Sequence, residues 1–136
     1  MTLPPLRVGQ GVDAHPLVAG RPLVLGGVTV PFELGLDGHS DGDVVAHAAC
    51  DAVLGAAGLP DLGHHFPSDD QRWKGVASLE LCRTVAGLVA AAGWRPVNLD
   101  VVVLCDEGLL PLARRAVESC PRLALILDHE SSPRGG

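Results

Sequence analysis

Aromatic side chains are almost missing from this 136-residue chain, which has two Trp, two Phe and no Tyr. Val, Leu and Ala must therefore fill the core. Long apolar runs are missing too. No stretch approaches the ~18–20 residues that a membrane span needs, so no membrane partner is expected. The first residues, Met-Thr-Leu-Pro-Pro-Leu-Arg, lack a charged start followed by an apolar block, so a signal peptide is not expected and a cytoplasmic location is. Positive charge is short: 10 Lys and Arg against 16 Asp and Glu leave a net charge of −6. No basic stripe can neutralise nucleic-acid phosphates. A chain this acidic that takes an anionic substrate must use a metal ion or backbone N–H groups. There is also no C-x-x-C pair. Cys50, Cys82, Cys105 and Cys120 stand far apart, each within or beside an apolar stretch, as reduced buried thiols do.

What is present fits one globular domain over residues 1–136, 47% hydrophobic, with 17 Gly and 11 Pro for tight turns. Residues 6–15 read as a Gly-rich strand, and 21–32 as a hairpin turning at Gly26-Gly27. Residues 34–42 read as a loop. A helix is expected from Asp43 to Ala57, stopped by Gly58 and Pro60, and a second from an N-cap at Ser78 to about Ala92, closed by Gly93. Residues 61–75 read as a loop, 97–105 as a strand, 109–119 as a helix and 123–127 as a short apolar run. The pattern predicts an α+β layered fold, a small mixed sheet with helices packed on one face. Ala49, Ala52, Val53, Ala56 and Ala57 leave the first helix little polar surface, which points to subunit contacts.

Asp13-x-His15 puts a carboxylate and an imidazole on one face of a strand end. His47 lies early in the first helix, with Asp43 four residues before it on the same face. An Asp/His/His set that leaves a fourth position open suits a catalytic zinc site, although D-x-H also arises by chance and a helical His is often a core residue. His39-Ser40-Asp41-Gly42-Asp43 joins a His, a hydroxyl and a glycine to a helix N-terminus, where an anion is favoured. Alone it reads equally as a polar turn with an Asp cap. Adjacent His64 and His65 are not expected to converge on one ion, and Ser68-Asp69-Asp70 reads as a solvated face.

Taken together, the stretches 7–15 (Arg-Val-Gly-Gln-Gly-Val-Asp-Ala-His), 25–31, 39–47 (His-Ser-Asp-Gly-Asp-Val-Val-Ala-His), 51–63, 65–67 (His-Phe-Pro) and 73–75 (Trp-Lys-Gly) closely resemble the 2-C-methyl-D-erythritol 2,4-cyclodiphosphate synthases of the non-mevalonate isoprenoid pathway. The likeness covers residues 6 to about 104. It implies that Asp13, His15 and His47 bind Zn2+ or a similar ion. It implies that His39 and Ser40 hold the substrate's 2-phosphate, with His39 stabilising the transition state. Asp61, Leu62 and Gly63 are implied to contact the methylerythritol moiety, with Phe66, Pro67, Ser68, Asp69 and Asp70 beside it. The resemblance further implies Mg2+ at the pyrophosphate, a homotrimer with sites between subunits, and a lyase reaction on a phosphorylated small molecule that releases CMP.

Beyond about Leu104 the family pattern is lost. Cys105-Asp106-Glu107-Gly108-Leu109-Leu110-Pro111 stands where the family has Ala-x-x-Pro-Lys, and no threonine follows Thr84, so the Thr-Thr-x-Glu motif is missing. Residues 105–136 are thus expected to be divergent or incomplete, and a catalytically degenerate metal-binding subunit is the alternative reading.

Overall fold

A computed structural model describes residues 2–106 and 108–118. In chain order these form β1 (Leu17–Ala19), β2 (Leu23–Leu25), β3 (Val28–Val30), β4 (Leu34–Leu36), α1 (Val44–Ala56), α2 (Leu62–His65), α3 (Ser78–Ala91) and α4 (Leu110–Glu118). A 3-10 turn, Gln71–Trp73, separates α2 from α3. The fold class is α+β, as the sequence predicts. The sheet is not mixed, however: among the described residues the strands form two antiparallel pairs, β2 with β3 and β1 with β4.

The β2–β3 hairpin turns at Gly26 and Gly27, whose φ values of 60° and 78° suit the type I′ turn of a two-residue hairpin. Directly behind that turn lies the start of α1. Asp43 caps the helix by accepting the Ala46 N–H at 3.0 Å, and it also accepts the N–H groups of Gly26 at 2.8 Å and Gly27 at 2.7 Å. One fully buried carboxylate thus joins hairpin to helix. Burial pushes its carboxyl above the usual range, against the pull of those three N–H donors, with the Asp41 charge adding to the rise.

The core runs from Leu23, Leu25 and Val30 through Val45, Ala49 and Leu54 to Leu81, Val85 and Val89, with Ala113 and Ala116 closing it at α4. Small residues on α1 allow α3 to pack closely; Cys50 and Cys82 meet there, their Sγ atoms 3.2 Å apart. The contact with Cys82, and burial, push the Cys50 thiol up. Both are free and buried and Cys105 is half-buried, while Cys120 and residues 123–127 lie outside the described residues.

Other sequence expectations change as well. Residues 34–42 are not all loop, because Leu34–Leu36 pairs with a strand at Leu17–Ala19 that its brevity concealed. Residues 61–75 are not all loop either, since α2 and the 3-10 turn lie within them. The strands expected at 6–15 and 97–105 are extended stretches without a ladder partner among the described residues. They keep the strand's period of two: Gly9, Gly11, Asp13 and His15 face inward, while Val8 and Val12 are 90% and 79% exposed. Likewise Leu99, Val101, Val103 and Cys105 pack on the core, while Val102 and Leu104 are 85% and 91% exposed.

The first stretch lies flat on α1. A Cβ at Gly9 would sit 1.9 Å from the Ala52 carbonyl oxygen, and one at Gly11 1.9 Å from that of Ala48. Only hydrogen fits at either position. This docking lies along Ala48, Ala52 and Ala56 of α1, and most of the exposed large apolar side chains stand on the two extended stretches. No helix among the described residues is long and apolar enough to cross a membrane.

Candidate metal centre and the loops around it

Glycine contact at 9 and 11 sets how close the chain lies to α1, and the alternation of an extended backbone then aims Asp13 and His15 at the first turns of that helix. His47 points up to meet them. Asp13 Oδ2 lies 3.0 Å from His15 Nε2 and 3.2 Å from His47 Nδ1. Two ligand atoms of a tetrahedral ion bound at ~2.0–2.1 Å are about 3.3 Å apart, so these separations match one ion. Ligand atoms of all three residues lie within 4.8 Å of one another, and no other group of three such residues occurs among the described residues. His15 Nε2 is buried and, although near Asp13, is not aligned to hydrogen-bond with it. An orphaned ring nitrogen beside a carboxylate and a second imidazole fits a divalent metal ion.

The electrostatics agree. Burial works to raise the Asp13 carboxyl, but the hydrogen bond from His47 and the charges of His15 and His47 outweigh it and hold it below its usual value. Burial likewise disfavours charge on His47. The Asp13 hydrogen bond and charge, helped by Asp43 and Asp41, win and hold the ring above its usual value.

On the far side of His47 lies the 38–42 loop. Ser40 Oγ is 3.1 Å from His47 Nε2 and accepts the Gly42 N–H at 3.3 Å, so its hydroxyl turns inward. The loop abuts the centre: a Cβ on Gly38 would be 3.3 Å from His15 Cε1. His39 Nε2 is 2.8 Å from the Asp70 carbonyl oxygen, and the His39 carbonyl accepts the Gly75 N–H at 2.8 Å. Arg21, which the sequence reading missed, donates to the Gly38 and Ser40 carbonyls, both at 2.7 Å, and clamps the loop from outside. Its only signal in sequence was a lone Arg at a hairpin start.

Asp61 caps α2, accepting the His64 N–H at 2.9 Å. Leu62 is buried, its N–H given to Asp51 Oδ1 at 2.8 Å and its carbonyl accepting from Phe66, while Gly63 is exposed. Phe66 meets Trp73 edge-on at 4.9 Å, with Pro67 half-buried beside it. Ser68 and Asp69 are exposed, and Asp70 caps the 3-10 turn and pairs with Arg72. The hydrogen bonds from Arg72 hold the Asp70 carboxyl below its usual value. The rings of His64 and His65 stand edge to face at 5.5 Å and share no three-ligand group.

A family model described as the YgbB family matches residues 6–131. The chain belongs to the YgbB family. Among YgbB relatives, the 2-C-methyl-D-erythritol 2,4-cyclodiphosphate synthase of Bordetella petrii is 59% identical over 99 residues, 73% of this chain and 61% of the relative. The synthase of the same name from Desulfatibacillum aliphaticivorans is 54% identical over 124 residues, 91% of this chain and 80% of the relative. A solved structure of such a synthase in a CDP-bound form superposes with a TM-score of 0.68 at 40% identity, covering 86% of this chain and 79% of that one. The chain spans slightly less than two thirds of the length of several curated relatives it matches, 61% to 65%.

Proposed function

We propose that this chain is a metal-dependent 2-C-methyl-D-erythritol 2,4-cyclodiphosphate synthase, a cytoplasmic phosphorus–oxygen lyase of isoprenoid precursor biosynthesis. The substrate is a cytidine-diphosphate-linked methylerythritol bearing a 2-phosphate. An oxygen of that phosphate attacks the β-phosphorus, the bond from the β-phosphorus to the bridging oxygen breaks, and that oxygen leaves with CMP. The convergence of Asp13, His15 and His47, in a family whose relatives carry this name, is the observation that supports the reading.

Such a transfer needs positioning and charge neutralisation more than covalent help. Asp13, His15 and His47 would hold a divalent ion, which we assign as Zn2+, and it would supply Lewis-acid polarisation of a phosphoryl oxygen. His39 and the 38–42 backbone orient the 2-phosphate, and Arg21 and Asp70 hold that loop in place. Ser40 acts in this loop through its backbone and its inward hydroxyl. Asp61, Leu62 and Gly63, with Phe66 to Asp70 beside them, border the methylerythritol. The resemblance implies Mg2+ at the pyrophosphate as well; residues 1–136 contain no Thr-Thr-x-Glu sequence to which a ligand can be assigned. Val8, Val12, Val102 and Leu104, apolar and exposed, are the surface a homotrimer would cover.

Purified protein loaded with Zn2+ should release CMP from the cytidine-linked substrate. A folded His47→Ala variant should lose both bound zinc and CMP release; undiminished zinc in that variant would refute the ligand assignment. Asp106 and Glu107 at the expected nucleotide stretch favour a second reading, a metal-binding subunit without turnover. A zinc-loaded wild-type trimer that releases no CMP would decide for it.

A further inference from the structure

Resting on the metal reading above, we propose that Asp41 and Ser78 form a relay behind the centre that fixes His47 with its proton on Nε2, leaving Nδ1 as the ligand nitrogen. Ser78 opens α3 and is fully buried, yet it does not cap the helix; the cap position is Ala77, whose side chain makes no capping bond. The cap comes from elsewhere in the chain, since Asp41 Oδ2 accepts the Ser78 N–H at 2.9 Å. The Ser78 hydroxyl donates to the other oxygen of the same carboxylate, Asp41 Oδ1. A hydroxyl has one proton. With that proton committed to Asp41, Ser78 Oγ can only accept at its 2.9 Å contact with His47 Nε2. Nε2 is therefore an N–H donor, so the proton a bound ion would displace is the one on Nδ1, 3.2 Å from Asp13 Oδ2, and Nδ1 would then be the ligand atom.

Metal-bound histidines commonly give their second N–H to a carboxylate or carbonyl, which sets tautomer and ring orientation. Here a serine is interposed, and its partner is the residue that caps α3. The loop before α1, the start of α3 and the metal centre are thus joined through one imidazole. Ser40 Oγ, 3.1 Å from the same nitrogen, already accepts from Gly42 and is the more distant partner. Ser78 and Asp41 are positioning residues, acting on the ion only through His47.

The test compares wild type, Ser78→Ala and Asp41→Asn by Zn2+ competition titration and by NMR of the Co2+-loaded proteins. Wild type should bind one ion and show a shifted, exchangeable His47 Nε2–H resonance. Ser78→Ala should bind Zn2+ roughly 10–100-fold more weakly and lose that resonance to exchange, with Asp41→Asn between the two. Alanine suits a helix start, and unchanged circular dichroism would exclude unfolding. Affinity within twofold of wild type in Ser78→Ala, or coordination through Nε2 in wild type, would overturn the relay alone. A wild type that binds no metal would sink the metal reading and the relay together.

Discussion

Asp43 shows how much one side chain can hold. Its carboxylate takes three backbone N–H groups, two from the Gly26-Gly27 turn and one from α1. Asp43→Ala would leave those donors buried and unpaired and delete the cap, a loss of about 2–4 kcal/mol. Chemical denaturation should read it as a lower midpoint with an unchanged slope. The pH dependence follows from the raised carboxyl. The native state holds this proton more tightly than the unfolded chain, so the group favours folding at pH values below its unfolded value of ~4. That advantage fades as pH rises from there to the folded value and then stays lost. Wild type should lose stability relative to Asp43→Asn across that interval, and parallel curves for the two would contradict the assignment.

At the scale of elements, the metal centre depends on a strip of backbone lying against a helix. Gly11→Ala places a methyl where the Ala48 carbonyl oxygen stands, so the 6–16 stretch must lift. The variant should keep the α1–α3 core yet bind Zn2+ at least tenfold more weakly, seen by titration beside an unaltered circular dichroism spectrum. Wild-type affinity would mean that the stretch docks otherwise. Part of this was legible beforehand. Asp13-x-His15 needs only the two-residue period of an extended chain, and that period holds even without a ladder. The Gly26-Gly27 hairpin and the Asp43 start of α1 were legible because their signals are local. Leu34–Leu36 was not, because its partner at Leu17–Ala19 is equally short and lies across a hairpin. Ser78 was read as a cap because Ser before a helix usually is one. Its true partners, Asp41 and His47, lie 37 and 31 residues away in sequence. Arg21 escaped for the same reason: its partners are carbonyls of a distant loop.

For the whole molecule, the burial pattern separates a closed interior from two open stretches. The buried core is made of aliphatic and small side chains, as the scarcity of aromatics required. Outside it, Val8, Val12, Val102 and Leu104 are apolar and exposed, the surface assigned above to the proposed homotrimer. Val102→Asp with Leu104→Asp should convert the proposed trimer into monomer in multi-angle light scattering and leave the α1–α3 core folded. A trimer that survives both charges would move the interface elsewhere.

Asp13 and His15 belong to the docked stretch, and His47 belongs to the helix it rests on. An ion held by all three is therefore a crosslink between residues 34 apart in sequence. By mass action its contribution grows with supply: about 2.7 kcal/mol when free metal is a hundred times its dissociation constant, about 4.1 at a thousand. A lesion such as Gly11→Ala is then not an absolute defect but a shift in dose. Scarce metal exposes it, and abundant metal conceals it.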